Sequence, residues 1–219
     1  MDVLKRLLAA VEEEEKKGLA SIDSESGEED WFEEKLPALN ETCLLLLVGL
    51  HHEVERRLVV LASLVDKVRS RGEINPTELN DRIEKLKKAD KRGRRLVIFD
   101  IEQIETLLGL LASRHHHSMY LLRLIANSYK HNPFLEPSTA LKKALGIAPQ
   151  VNCLPLSESE RVRGPLAAAL GLSETSGYCA IARHFFEVAT AYLAEARLRT
   201  NLRFPRYSPA SSHPDDMAG

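Results

Sequence analysis

The chain has 219 residues, 44% of them hydrophobic, which suits one large domain or one domain with appendages. Charged residues make up 28% of the chain and the formal net charge is only −2, which excludes a wholly disordered acidic or basic chain. Aromatic residues reach only 5%, while Leu and Ala are abundant, and this composition favours helices over an all-β sandwich.

The charge is distributed unevenly along the chain. Residues 1–35 hold 12 acidic and 5 basic side chains, a net charge of −7, so the remaining 20 acidic and 25 basic side chains give +5. A basic body is compatible with a nucleic-acid partner, whereas an acidic segment is most often simply solvated. The most basic run, 85–95, fits a phosphate-contacting segment and an exposed loop equally well.

The hydrophobic pattern predicts helices over most of the chain. A short amphipathic helix is expected over 2–20, followed by a linker rich in Ser, Gly and acidic residues that ends at Asp30. Three long helices are predicted, over 40–71, 101–131 and 176–200. Asn40 is expected to cap the first of these, and Pro133 follows the end of the second.

Two shorter helices are predicted between the second and third long ones. The first covers 138–145 and is closed by Gly146. The second begins at a capping box formed by Ser157 and Glu160, and Gly164-Pro165 is expected to interrupt it.

These elements predict an all-α helical bundle with three long helices and several short ones. We expect an acidic N-terminal helix and linker over 1–35, the bundle over 36–204 and a disordered tail over 205–219. The sequence contains no GxGxxG, Gly-rich phosphate loop or GxSxG motif, so Rossmann, P-loop and α/β-hydrolase enzymes are not indicated. With no signal peptide and no apolar run of membrane-spanning length, a cytoplasmic protein without membrane contact is expected.

The cysteines and histidines do not form a recognisable metal or disulfide pattern. The three Cys residues are far apart and lack a CxxC motif, and consecutive residues His115–His117 point in different directions on a helix. No metal or other cofactor is therefore expected. Cys179 and His184 are interpreted as a buried thiol and an ordinary imidazole, with a nucleophilic Cys–His pair as the lesser alternative.

The residues most suited to chemistry lie in the second long helix. Because each residue of a helix advances by about 100°, five of the polar residues that follow His116 in this helix fall within roughly 60° of it. They are Tyr120, Arg123, Asn127, Lys130 and His131. This polar stripe lies opposite an apolar side, and its simplest interpretation is a solvated face.

The same stripe suits phosphodiester chemistry. An imidazole can take up and release a proton near neutral pH, so His131 is suited to move the proton of a ribose hydroxyl or a leaving oxygen. Arg123 or Lys130 can stabilise charge on the phosphate, and Asn127 can orient the imidazole or the phosphate. Tyr120 and His116 are candidate substrate-binding residues.

The segment 126–131, Ala-Asn-Ser-Tyr-Lys-His late in a long helix, resembles the higher-eukaryote and prokaryote nucleotide-binding (HEPN) superfamily. Members of this family are helical bundles, often dimeric, and many are ribonucleases of toxin–antitoxin, phage-defence or RNA-processing systems. Their signature is an Arg, then four to six residues that often begin with Asn, then a His. Asn127 and His131 match this pattern, Ala126 stands where the Arg is expected, and Arg123 is the nearest Arg.

The resemblance implies a bacterial protein of defence or toxin type that forms a homodimer and acts on or binds RNA. If it is an enzyme, it is a metal-independent endoribonuclease with His131 as the acid–base group. An antitoxin-type protein is a further partner that the resemblance implies. The alternative is a non-catalytic helical interaction protein that binds a protein or a nucleic acid through the same surface.

Overall fold

The computed structural model describes residues 1–22, 31–71, 101–131 and 136–199. Within these ranges the chain forms seven α-helices and no strand, which confirms the all-α fold. In chain order the helices are α1 (Asp2–Ser21), α2 (Leu36–Arg71), α3 (Ile101–Leu107), α4 (His116–His131), α5 (Thr139–Ala144), α6 (Glu160–Ala169) and α7 (Tyr178–Arg199). The basic run 85–95, most of the linker before Trp31 and the tail 205–219 lie outside the described residues.

The long helix α2 is the central element of the bundle. It has 36 residues and is therefore about 54 Å long at about 1.5 Å per residue. Helices α1, α3, α4 and α7 all pack against it. Its fully buried residues include Leu44, Leu47 and Leu50, so the apolar run that the sequence places here lies in the core. Across the described helices, none combines the length and the apolar character that crossing a bilayer requires.

The start of α2 differs from the sequence prediction. Asn40 was expected to cap this helix, but the helical path begins with a π-helical turn at Trp31 and α2 itself begins at Leu36. Pro37 is the second residue of α2 and supplies no backbone N–H donor to the preceding turn. The amide of Asn40 instead donates to the carbonyl of Ser157 at 3.1 Å, which ties the loop before α6 to α2.

The predicted continuous helix over 101–131 is wrong, because the chain turns between α3 and α4. Gly109 adopts the left-handed conformation with φ of 69°, and a 3-10 turn over Leu110–Ala112 follows it. Helix α7 holds this turn from outside. Arg199 donates to the carbonyl of Gly109 at 2.6 Å, and the hydroxyl of Ser113 donates to Glu195 at 2.5 Å.

Helices α5 and α7 agree with the sequence prediction, and α6 differs in detail. The hydroxyl of Ser138 accepts a hydrogen bond from the backbone N–H of Leu141, and Gly146 has φ of 70° after the helix. The N-cap of α6 is Ser159 instead of Ser157, and Pro165 lies inside the helix without ending it. A proline removes one backbone donor, which the packing of α6 on the core tolerates.

Helix α1 packs against α2 and α7 and is not detached from the bundle. Its Leu8 and Val11 are buried, and Arg183 of α7 donates to Glu12 at 2.6 Å. A Cβ atom at Gly18 would overlap the ring of Trp31, which is 2% exposed, so only glycine allows this close approach. The division of the chain at residue 35 remains a prediction from composition.

Candidate nucleic-acid interface

Helix α4 presents one side to the core and the other to solvent. Its buried residues are Met119, Leu121, Leu122, Ile125, Ala126, Ser128 and Tyr129. Asn127, Lys130 and His131 are exposed in its last two turns, and Tyr120 is 38% exposed. The helix contains no acidic residue between His116 and His131. Its exposed side is therefore rich in groups that can contact an anion.

Two of the six candidate residues are drawn inward by a buried carboxylate. Glu105 of α3 is 3% exposed, and its Oε2 atom lies 3.4 Å from Nη2 of Arg123 and 3.5 Å from Nε2 of His116. The hydroxyl of Tyr192 in α7 donates to the other carboxylate oxygen at 2.8 Å. We call Glu105, His116, Arg123 and Tyr192 the Glu105 cluster.

The Glu105 cluster fixes the protonation of Tyr192 and the position of Arg123. Burial, together with the hydrogen bond to Glu105, raises the pKa of Tyr192 far above its usual range, so the phenol remains a donor. The Arg123 guanidinium also lies 5.7 Å from the centre of the Tyr120 ring, at cation–π distance. Its side chain is 15% exposed, so Arg123 is partly covered and partly neutralised by an internal partner.

Two residues of the segment 126–131, Ala126 and Tyr129, are buried in the bundle. Ala126, where the HEPN signature has Arg, is 1% exposed and faces the core. Tyr129 donates to Glu41 of α2 at 3.0 Å, and burial, helped by this bond, raises its pKa well above the ordinary value. Neither residue reaches the exposed side of α4 where Asn127 and His131 lie.

The positive charges of two candidate residues, Arg123 and Lys130, also affect the pKa of a buried histidine on α2. His51 is 6% exposed, and its Nε2 atom lies 3.4 Å from a carboxylate oxygen of Glu55. Burial lowers the pKa of His51 to about 4, with further contributions from His52 and from the positive charges of Arg123 and Lys130. His51 is therefore neutral at neutral pH and unsuited to act as a buried cation.

The structure thus separates the six predicted residues into two groups. His116 and Arg123 meet at Glu105, with Tyr120 beside Arg123, whereas Asn127, Lys130 and His131 occupy the exposed end of α4. Among the described residues, no three His, Cys, Asp or Glu side chains come together in an arrangement that could hold a metal ion.

Sequence reasoning did not identify Glu105 or Tyr192. The spacing of His51 and Glu55 by four residues does predict that these two side chains lie close together, as the structure shows. A signal for Glu105 was present, because it follows Ile104 at a position where the helical pattern of Ile101, Ile104 and Leu108 predicts an apolar residue. A carboxylate at a buried position needs a partner, which marks it for attention. Tyr192 follows the apolar spacing of the last helix together with Val188 and Ala189, and nothing near it in the sequence indicates a polar partner.

Comparison with known proteins gives no relative of this chain: no family model, no curated protein and no solved structure matches it. The geometry of α4 and its neighbours is therefore the basis on which its function is argued.

Proposed function

We propose that this chain is an RNA-directed protein whose contact surface is the exposed end of α4, formed by Asn127, Lys130 and His131. The observation that carries the proposal is that these three side chains are exposed together on a helix without an acidic residue. Exposed cationic and hydrogen-bonding groups attract phosphates, and most of the affinity for RNA comes from such contacts.

The resemblance to the HEPN superfamily adds a catalytic role to this surface. In that role His131 moves protons at the ribose hydroxyl and the leaving oxygen, Lys130 stabilises charge on the phosphate, and Asn127 orients the reacting groups. Arg123 lies beside this surface and is held by Glu105. Tyr120 and His116 are substrate-binding residues nearer the start of the same helix. The proposed protein is a cytoplasmic homodimer of defence or toxin type, in which two α4 surfaces face each other and an antitoxin-type protein covers them.

The second candidate is a non-catalytic protein that binds a nucleic acid or a protein through the same surface. Two observations favour it. Arg123, the arginine nearest to His131 in the helix, is held at a buried carboxylate, and the position of the signature Arg is occupied by the buried Ala126. The exposed surface therefore lacks the arginine that the catalytic signature contains.

Cleavage of RNA in the presence of EDTA separates the two candidates. If the protein is an endoribonuclease, wild type cleaves a labelled single-stranded RNA without a metal, and His131→Ala lowers the rate by at least about 100-fold, the usual contribution of an acid–base group. His117→Ala is the matched control, because His117 is an exposed histidine of the same helix outside the stripe. Its rate is expected to equal that of wild type.

Three results distinguish the outcomes of this assay. Equal loss of activity in both variants removes the assigned role of His131. RNA binding without cleavage by wild type leaves the non-catalytic candidate. Absence of both binding and cleavage, in low salt and with folded protein, contradicts the RNA proposal itself.

A further inference from the structure

Two cysteines that are distant in sequence meet in the core of the bundle. Cys43 of α2 and Cys179 of α7 are separated by 136 residues, and their sulfur atoms lie 3.4 Å apart. Both are free thiols, with Cys43 fully buried and Cys179 3% exposed. The third cysteine, Cys153, is 7% exposed and directs its thiol to the carbonyl of Val151 at 3.6 Å.

We propose that Cys43 and Cys179 are a site of reversible oxidation, at which a peroxide converts the two thiols into a disulfide that joins α2 to α7. The geometry is close to what the bond needs, because a disulfide has its sulfur atoms about 2.0 Å apart and these are already neighbours. The two cysteines belong to different helices that pack against each other, and hence the bond would add a covalent link between α2 and α7.

Because both thiols are buried, only a small oxidant can reach them. Cys179 lies in the first turn of α7 and is the more exposed of the two thiols, so hydrogen peroxide reaches it first. The hydrogen bond with Cys43, burial and the nearby Glu15 all raise the pKa of the Cys179 thiol, which keeps the reactive thiolate scarce at neutral pH. Oxidation is therefore slow at neutral pH and accelerates as the pH rises.

The reaction balances in two steps. The Cys179 sulfur attacks one peroxide oxygen, the O–O bond breaks, and the departing hydroxide leaves as water with the thiol proton, giving a sulfenic acid. The Cys43 sulfur then attacks the sulfenic sulfur, the S–O bond breaks, and a second water leaves with the Cys43 proton. Two thiols and one hydrogen peroxide thus become one disulfide and two waters, with sulfur oxidised and peroxide oxygen reduced.

The test is to treat the folded full chain with excess hydrogen peroxide and to count thiols after unfolding, together with the intact mass. Wild type is expected to keep one of its three thiols, to lose two hydrogen atoms in mass and to regain both thiols with dithiothreitol. Closing a loop of this length should raise the Tm by on the order of 10 °C. Cys153→Ser is expected to behave in the same way, with no thiol left after treatment.

Cys43→Ala and Cys179→Ala, tested separately, should both abolish the loss of two hydrogen atoms and the rise in Tm. A single variant could lose the reaction because its fold is damaged. The same loss in both alanine variants, with the reaction retained in Cys153→Ser, assigns it to the pair Cys43 and Cys179. The proposal is overturned if wild type retains all three thiols, if sulfur only gains oxygen, if the disulfide contains Cys153, or if it forms without raising the Tm. The site does not include α4, so failure of the RNA proposal leaves this one unaffected.

Discussion

Replacing Glu105 with Ala is expected to lower the free energy of unfolding by about 3 kcal/mol, because it leaves buried polar groups without a partner. The hydroxyl of Tyr192 loses its acceptor at 2.8 Å, and Arg123 loses the carboxylate 3.4 Å from its guanidinium. Tyr192 is fully buried and Arg123 is mostly covered, so water replaces neither partner easily. Urea unfolding at neutral pH measures the change.

Two further variants separate the charge of Glu105 from general damage to α3. Glu102→Ala removes an exposed carboxylate from the same helix and is expected to stay within about 0.5 kcal/mol of wild type. Glu105→Gln retains an acceptor for Tyr192 and should lose less than Glu105→Ala. Equal losses in Glu105→Ala and Glu102→Ala would show that the Glu105 cluster does not hold α3, α4 and α7 together.

Acidification is expected to destabilise the protein between about pH 6.5 and pH 4.5, before the carboxylates titrate. His51 has its pKa lowered to about 4 by burial and by neighbouring positive charges, while in the unfolded chain it returns to 6.5. In that interval the unfolded state binds the additional proton, so stability falls as the pH falls. The full shift corresponds to about 3 kcal/mol, measured by urea unfolding at a series of pH values.

The pH interval of the stability loss distinguishes His51 from the carboxylates of the protein. Glu136 and Glu195 have their pKa lowered by hydrogen bonds from Lys142 and Ser113, respectively, so their stabilising effect is lost only below about pH 4.5. His51→Gln should flatten the slope above that pH. His52→Gln, on the exposed neighbour, should retain most of it, because burial is the largest cause of the lowered pKa of His51. A wild-type slope that survives in His51→Gln would assign the effect to another group.

The elements that the sequence predicts well are those specified by nearby residues. Ser138 caps α5 and Gly146 closes it, and both signals lie within one turn of the helix that they delimit. The apolar spacing along α7 likewise places this helix within two residues of its observed start. The all-α fold follows from such local patterns summed over the chain.

The features that the sequence does not predict depend on distant partners. A single Gly inside a helical pattern is tolerated in many helices. The contacts that hold the turn at Gly109 come from α7, where Arg199 donates to Gly109 across 90 residues and Glu195 accepts from Ser113 across 82 residues. Pro165 illustrates the converse, since a local helix breaker lies inside a helix that the core supports.

The residues of the candidate surface also fall into those that the sequence predicts correctly and those that depend on distant partners. Helical spacing places Asn127, Lys130 and His131 on a common side, and these residues are exposed. The spacing also places Arg123 on that side, but its guanidinium lies against the buried Glu105 of α3, which also accepts a hydrogen bond from Tyr192 of α7. Contacts between helices, and not the period of one helix, decide which polar residues are available to a ligand.

The equilibrium binding of RNA to the exposed end of α4 tests the central proposal most directly. Fluorescence anisotropy of a labelled single-stranded RNA of mixed sequence, in low salt with EDTA, is measured for wild type, Lys130→Glu and Lys5→Glu. Lys5 is an exposed lysine on α1, which packs on α2 and α7, and it supplies the matched charge reversal. We predict that Lys130→Glu raises the Kd by about tenfold and that Lys5→Glu stays within about threefold of wild type. Equal Kd values for the two variants, or no binding by wild type, would contradict the proposal.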